Sequence, residues 1–164
     1  MWTEATGIIM KILVDADACP VKNIIEQIAK NNEIEVVMIT DSSHIITSEY
    51  SKVITVSQGK DAADIAIINM TDKGDLVITQ DYGVATMALG KGAYAMGNSG
   101  LVYDENNIDK LLFERFLSGK IRRSGKKAKG GFKPHKRQNE DDEAFKRALN
   151  NLIENIKNNS GEVL

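Results

Sequence analysis

Apolar and polar positions along this chain fall into short strand-like runs separated by helical periods. Ile12-Leu13-Val14 is an apolar run closed by Asp15-Ala16-Asp17-Ala18-Cys19-Pro20. The run is too short for an ordinary helix and four residues from Ile8 to Val14 are β-branched, so it reads as a buried strand that stops near Asp15. Pro20 is best tolerated at a first helical position. Val21 to Lys30 then sets Ile24, Ile25 and Ile28 on one side and Glu26 and Lys30 opposite, the pattern of a short amphipathic helix. Ile34 to Thr40 and Val53 to Val56 read as further strands, joined through a polar loop that turns His44 to solvent. Asp61 to Ile68 opens a second helix, where Asp61 and Asp64 share one face of the first turn.

Leu76 to Thr79 repeats the arrangement of the first strand, with Asp81 just past its end. Val84 to Leu89 reads as a helix closed by Gly90 or Gly92, and Ala93 to Met96 as a fifth strand. A helix from Ile108 to Leu117, capped by Asn107, carries Leu111, Leu112, Arg115 and Phe116 as an apolar stripe with a charged rim. The last helix, Glu140 to Lys157, places Phe145, Leu149, Leu152, Ile153 and Ile156 on one side, suited to docking on the body or on a second copy in a homodimer. About five strand–helix alternations define an α/β protein with a mainly parallel five-stranded sheet covered on both faces.

The 164 residues, 42% of them hydrophobic, allow one core with appendages. The expected division is an N-terminal extension at 1–9, with Met1 and Met10 both open as the start, an α/β domain at 10–118, a basic flexible arm at 119–139 and a docking helix at 140–158. No apolar run approaches the ~20 residues that span a bilayer, so no membrane partner and a cytoplasmic location are expected. Cys19 is the single cysteine, which excludes an intrachain disulfide and a cysteine-rich zinc site and leaves a small packed residue as its expected role. The net charge of −2 hides a segregation. Residues 115–139 hold ten basic residues and no acid, leaving 11 basic and 23 acidic residues, or −12, on the rest. An acidic body with a basic arm points toward polyanions, and Arg122, Arg123, Lys126 and Lys127 are the expected phosphate contacts.

Ligands of open α/β sheets bind beyond the carboxyl ends of the strands. Neighbouring first and fourth strands would bring Asp15, Asp17 and Asp81 to one edge, with Asp61 or Asp64 joining from a helix start. Singly, each acid has a plainer explanation: Asp15 or Asp17 as a helix cap, Asp61 and Asp64 as partners of a helix dipole. Together, like charges at about 4 Å repel by roughly 4 kcal/mol at an effective dielectric near 20, so either protons or a cation must sit among them. An all-oxygen set suits Mg2+ or Mn2+, which points to phosphoryl chemistry. No glycine-rich phosphate loop follows the first strand, which argues against a nucleotide-dependent enzyme.

Val-Asp-Ala-Asp-Ala-Cys-Pro at 14–20, Gly-Lys-Asp-Ala-Ala-Asp at 59–64 and Gly-Asp-Leu-Val-Ile-Thr-Gln-Asp at 74–81 resemble the motifs of the YaiI/YqxD family of uncharacterised bacterial proteins. The likeness runs from Met10 to about Ile156. That family is PIN-like, similar to metal-dependent nucleases, and the resemblance implies a three-layer α/β/α fold with strand order 3-2-1-4-5. It also implies that Asp15 is the first acid after strand one, Asp61 or Asp64 the acid opening a helix, and Asp81 the acid after strand four. Asp17 has no general counterpart among such nucleases. The reading that follows is a Mg2+- or Mn2+-dependent nuclease acting on RNA. Its metal ligands are drawn from Asp15, Asp61, Asp64 and Asp81, and Asp17 or Asp64 assists as a base. Two alternatives stand beside it. Asp15-x-Asp17 also resembles the start of haloacid-dehalogenase-like phosphatases, and a non-catalytic RNA-binding protein could keep the same fold and arm.

Overall fold

The computed structural model describes residues 10–161 apart from 18, 42, 44, 60 and 126–135. The expected extension at 1–9, His44, and Lys126 and Lys127 of the expected arm lie outside the described residues. The elements run β1 (Lys11–Asp15), α1 (Lys22–Asn31), β2 (Glu35–Asp41), β3 (Lys52–Val56), α2 (Ala62–Met70), β4 (Leu76–Ile78), α3 (Tyr82–Gly90), β5 (Tyr94–Met96), β6 (Val102–Tyr103), α4 (Glu105–Arg123) and α5 (Asn139–Gly161). The strands form one sheet in the order β3-β2-β1-β4-β5-β6. β1 pairs in parallel with both β2 and β4, Asp15 lying opposite Ile39 and Val14 opposite Ile78. The expected order 3-2-1-4-5 is therefore present. A sixth strand is added antiparallel to β5, at Ala95↔Tyr103.

Because β1 is central and parallel on both sides, its alternate residues feed two cores. Ile12 and Val14 pack with Ile25 and Ile28 of α1 and with Phe145, Leu149 and Ile153 of α5. Leu13 packs with Ile67 of α2, Val84, Ala85 and Ala88 of α3, and Ile108 of α4. The layers are thus α1 and α5, the sheet, then α2, α3 and α4. All five apolar residues expected on one side of the last helix are buried in the first core. Cys19 is buried as well, and burial pushes its thiol pKa up. Among the described residues, no helix is long and apolar enough to cross a membrane.

Local expectations are corrected in three places. Pro20 is not the first helical residue: α1 begins at Lys22, with Val21 as an N-cap that offers no side-chain bond, so neither Asp15 nor Asp17 caps it. Asn107 is not a cap either. Asp104 caps α4, and Asn107 is its reciprocal partner, each side chain accepting from the other's backbone N–H at 2.8 Å. That box starts α4 earlier than its apolar stripe suggested, and the helix also continues past Leu117 to Arg123. Residues 119–123 of the expected flexible arm are therefore helical. At the other end of that arm, Arg137 is bound to the body, its Nε donating to Asp142 at 2.7 Å and its Nη1 to the Asn98 carbonyl at 3.2 Å.

The α5 contact is a stability claim that mutation can test. Phe145 is fully buried against the sheet, so Phe145→Ala is expected to lower unfolding free energy by about 3–5 kcal/mol in urea titrations. A loss below about 1 kcal/mol, the size of an ordinary surface change, would show that α5 is not part of the folded core.

Candidate active site at the carboxyl edge of the sheet

β1 and β4 end side by side, and their register fixes what stands at the edge. Thr79, the residue after β4, is buried, and its hydroxyl donates to Asp15 Oδ2 at 3.1 Å while accepting from the Asp81 backbone N–H at 3.0 Å. Asp81 is the N-cap of α3, and one oxygen, Oδ1, accepts from Gly83 N at 2.8 Å and Val84 N at 3.1 Å. A Cβ at residue 83 would stand 3.1 Å from that oxygen, so glycine leaves the cap its room. Asp81 therefore caps a helix with one oxygen and also lines a groove.

Asp64 stands in the first turn of α2, and Asp61 is that helix's N-cap residue. Asp61 has φ 67°, in the left-handed region, and makes no side-chain cap bond. For a non-glycine residue this conformation is uncommon, although Asp adopts it more readily than most. Burial, followed by the charges of Asp81 and Asp61, raises the Asp64 pKa. Asp15 is affected more strongly. Burial raises it to about 6 against the opposing Thr79 hydrogen bond, and the charges of Asp64, Asp17 and Asp81 add to the shift. The charges of Asp17, Asp64 and Asp81 thus act on Asp15 at one edge.

Asp17 is tied to the end of β2. Its Oδ1 accepts from Thr40 Oγ1 at 2.6 Å and its Oδ2 from Asp41 N at 3.1 Å. Both oxygens are thus engaged by the end of β2, and Asp17 braces β1 against β2. Asp75 lies at the opposite end of β4. There it accepts from the Lys11 and Asp72 backbone N–H groups at 3.1 and 2.8 Å and pairs with Lys11 Nζ at 2.6 Å. It precedes β4 and stands away from the edge that holds Asp15 and Asp17.

Two adjoining grooves open beside the acids. One, of about 780 Å3, is lined by Asp61, Asp64 and Asp81 and, across from them on α4, by Arg115, Phe116, Arg122 and Arg123. The other, of about 600 Å3, holds Asp15, Asp81 and Arg115. Arg122 and Arg123, expected as contacts on a flexible arm, are thus set on a helix that lines the same groove as the carboxylates. Sequence reasoning missed Thr79, the capping role of Gly83 and the exposure of Phe116. The first two had a signal in Thr-Gln-Asp-Tyr-Gly after the strand, whereas the third had none.

The donor set is oxygen throughout, as Mg2+ and Mn2+ prefer. Among the described residues no group of three or more His, Cys, Asp and Glu side chains could hold a metal ion. Mg2+ is commonly held by one or two carboxylates, with waters and substrate phosphate completing its shell. Asp15 and Asp81, joined through Thr79, fit that shared arrangement and not a closed protein cage.

Fold and edge define a parallel-sheet α/β protein with an acidic carboxyl-end site. The family described as "Uncharacterized BCR, YaiI/YqxD family" matches residues 13–155, and the chain belongs to it. Proteins named "UPF0178 protein" are similar over most of their length. One from Clostridium kluyveri is 50% identical over 153 residues, 93% of this chain and 99% of that one. Those from Clostridium tetani and Ruminiclostridium cellulolyticum are 54% and 56% identical, covering 88% and 85% of this chain and 94% and 90% of theirs. Among solved structures, Rae1 (YacP) from Bacillus subtilis, in a mutant form, aligns with a TM-score of 0.44 and 18% identity over 71% of this chain and 84% of that one. A likeness of that degree bears on neither substrate nor chemistry.

The crowding at Asp15 makes a signed prediction. Its folded pKa of about 6 exceeds its unfolded value, so the native state binds the extra proton between the two and stability falls as pH rises through that window. In chelator-treated protein, Asp15→Asn should raise unfolding free energy at pH 7.5 by about 1–2 kcal/mol, a figure reduced for solvent screening, and the gain should vanish near pH 4. A loss of stability at pH 7.5 would contradict the crowding.

Proposed function

We propose that the carboxyl edge hydrolyses phosphodiester bonds with Mg2+ or Mn2+ as cofactor and RNA as the favoured substrate. The observation that carries this reading is that Asp15, Asp64 and Asp81 share two adjoining grooves with Arg115, Arg122 and Arg123. Acids alone would repel a polyanion, and arginines alone would bind it without acting on it. A divalent cation between Asp15 and Asp81 would offset their repulsion, neutralise charge on the scissile phosphate and make water a better nucleophile.

The chain's own groups supply the remainder. Thr79 and the α3 N-terminus fix the two acids, so little reorganisation is needed on binding. Asp64, with its raised proton affinity, takes the proton from the attacking water. Guanidinium groups of α4 hold non-bridging phosphate oxygens by charge-assisted hydrogen bonds. Attack by water leaves no covalent intermediate on the protein. The expected setting is the cytoplasm.

A second reading, that of a non-catalytic RNA-binding protein, would use the same groove through Arg115, Arg122 and Arg123 alone. The phosphatase alternative is weakened by the bracing of Asp17 and the remote position of Asp75.

With Mn2+ and labelled single-stranded RNA, the wild-type chain should release shorter fragments. Asp15→Asn and Asp81→Asn should abolish that release, and Asp64→Asn should lower kcat on the order of a hundredfold. Binding without turnover in either metal would support the RNA-binding reading. Phosphate release from simple monoesters with trapping by beryllofluoride, and intact RNA, would establish the phosphatase instead.

A further inference from the structure

Phosphate binding does not account for the apolar side of the same groove. Phe116 of α4 is 56% exposed, and Ile65 of α2 and Met87 of α3 are 58% and 56% exposed. All three line the space that also holds Asp64, Asp81, Arg122 and Arg123. Phe116 was expected to pack on the body with Leu111 and Leu112. Those two are half-buried while Phe116 is held out. Along α4, Arg115, Phe116, Gly119, Arg122 and Arg123 recur at the three- and four-residue spacing that puts side chains on one helix face. At Gly119 nothing lies within 4 Å of where a Cβ would stand, so the stretch between ring and guanidinium groups is open.

A groove lined by exposed apolar side chains, by arginines of α4 and by carboxylates at the starts of α2 and α3 matches a ligand that alternates flat apolar faces with anionic links. Inorganic phosphate lacks the apolar part, and an apolar ligand lacks the charge. Single-stranded nucleic acid has both, because every unpaired base offers a π face that stacks on aromatic side chains while the backbone meets basic groups. In a duplex those faces are hidden within the stack.

We propose that Phe116 is a stacking platform for an unpaired base, with Ile65 and Met87 completing the floor and Arg122 and Arg123 holding the flanking phosphates. The platform makes the site selective for single strands over duplex. The inference rests on the polyanion groove of the proposed function and adds which part of the substrate is read there.

The test is fluorescence anisotropy in Mg2+ with the full chain carrying Asp64→Asn to suppress turnover. The probes are a labelled short oligoadenylate, the same strand made abasic throughout, and a duplex of equal length. Phe116→Ala should weaken oligoadenylate binding by roughly tenfold, the usual scale for one lost base stack, and leave the abasic strand unaffected. Phe116→Trp should restore the affinity. Arg122→Gln with Arg123→Gln should weaken both strands alike and flatten their salt dependence. Equal losses on both strands after Phe116→Ala, or no loss on either, would overturn the platform. So would sedimentation showing a dimer that Phe116→Ala dissociates, because a second copy would then be what covers the ring. The two readings fail separately. Phe116-dependent binding by a chain that never cleaves RNA in Mn2+ keeps the platform and removes hydrolysis. Cleavage that is indifferent to Phe116→Ala does the reverse.

Discussion

A hydroxyl has one proton to donate, and Thr79 gives its proton to Asp15 while accepting the backbone N–H of Asp81. Through that one group the ends of β1 and β4 are held at a fixed separation, and the helix that follows β4 starts where Asp81 can cap it. Tyr103 of β6 extends the same linkage, its hydroxyl donating to the Thr79 carbonyl at 3.3 Å. The linkage draws carboxylates closer than charge repulsion favours. Burial and neighbouring acids raise Asp15 toward neutral pH, so in the absence of a cation the edge stays acid-crowded. Burial and acid neighbours together at one edge, beside a groove, make these residues a candidate functional site.

Much of this was legible from the chain because the parallel sheet is written in continuous apolar runs, each closed by polar residues. Ile12-Leu13-Val14 and Leu76-Val77-Ile78 announced two central strands and the acids beyond them. Adjacency of those strands was not legible from pattern alone and came from the resemblance. The bracing of Asp17 was not legible because its partners Thr40 and Asp41 are 23 and 24 residues away, and a bond across strands leaves no local trace. β6 was missed because two residues carry no period. The length of α4 was underestimated because Gly119 and a run of basic residues look like the start of a linker. The capping box at its first turn and Lys120, Arg122 and Arg123 in its last turn stabilise it as a helix.

That extra length changes how charge is delivered. On a flexible arm, the cations would lose conformational freedom on meeting phosphate; on α4, Arg115, Arg122 and Arg123 are already arrayed beside the groove. At the far end of the basic stretch, Arg137 is tied to Asp142 and Asn98, so the stretch is anchored to the body at both described ends. The buried stripe of α5 holds that second anchor against the sheet.

The central claim is that Asp15 and Asp81 together hold a divalent cation, and anomalous diffraction from a crystal soaked in Mn2+ tests it most directly. The account predicts one anomalous peak within ligating distance of both carboxylates, on the groove side of Thr79, and none in a crystal of Asp15→Asn. A soaked wild-type crystal with no peak at this edge, or a peak only among Asp72 and Asp75 at the opposite end of β4, would contradict it.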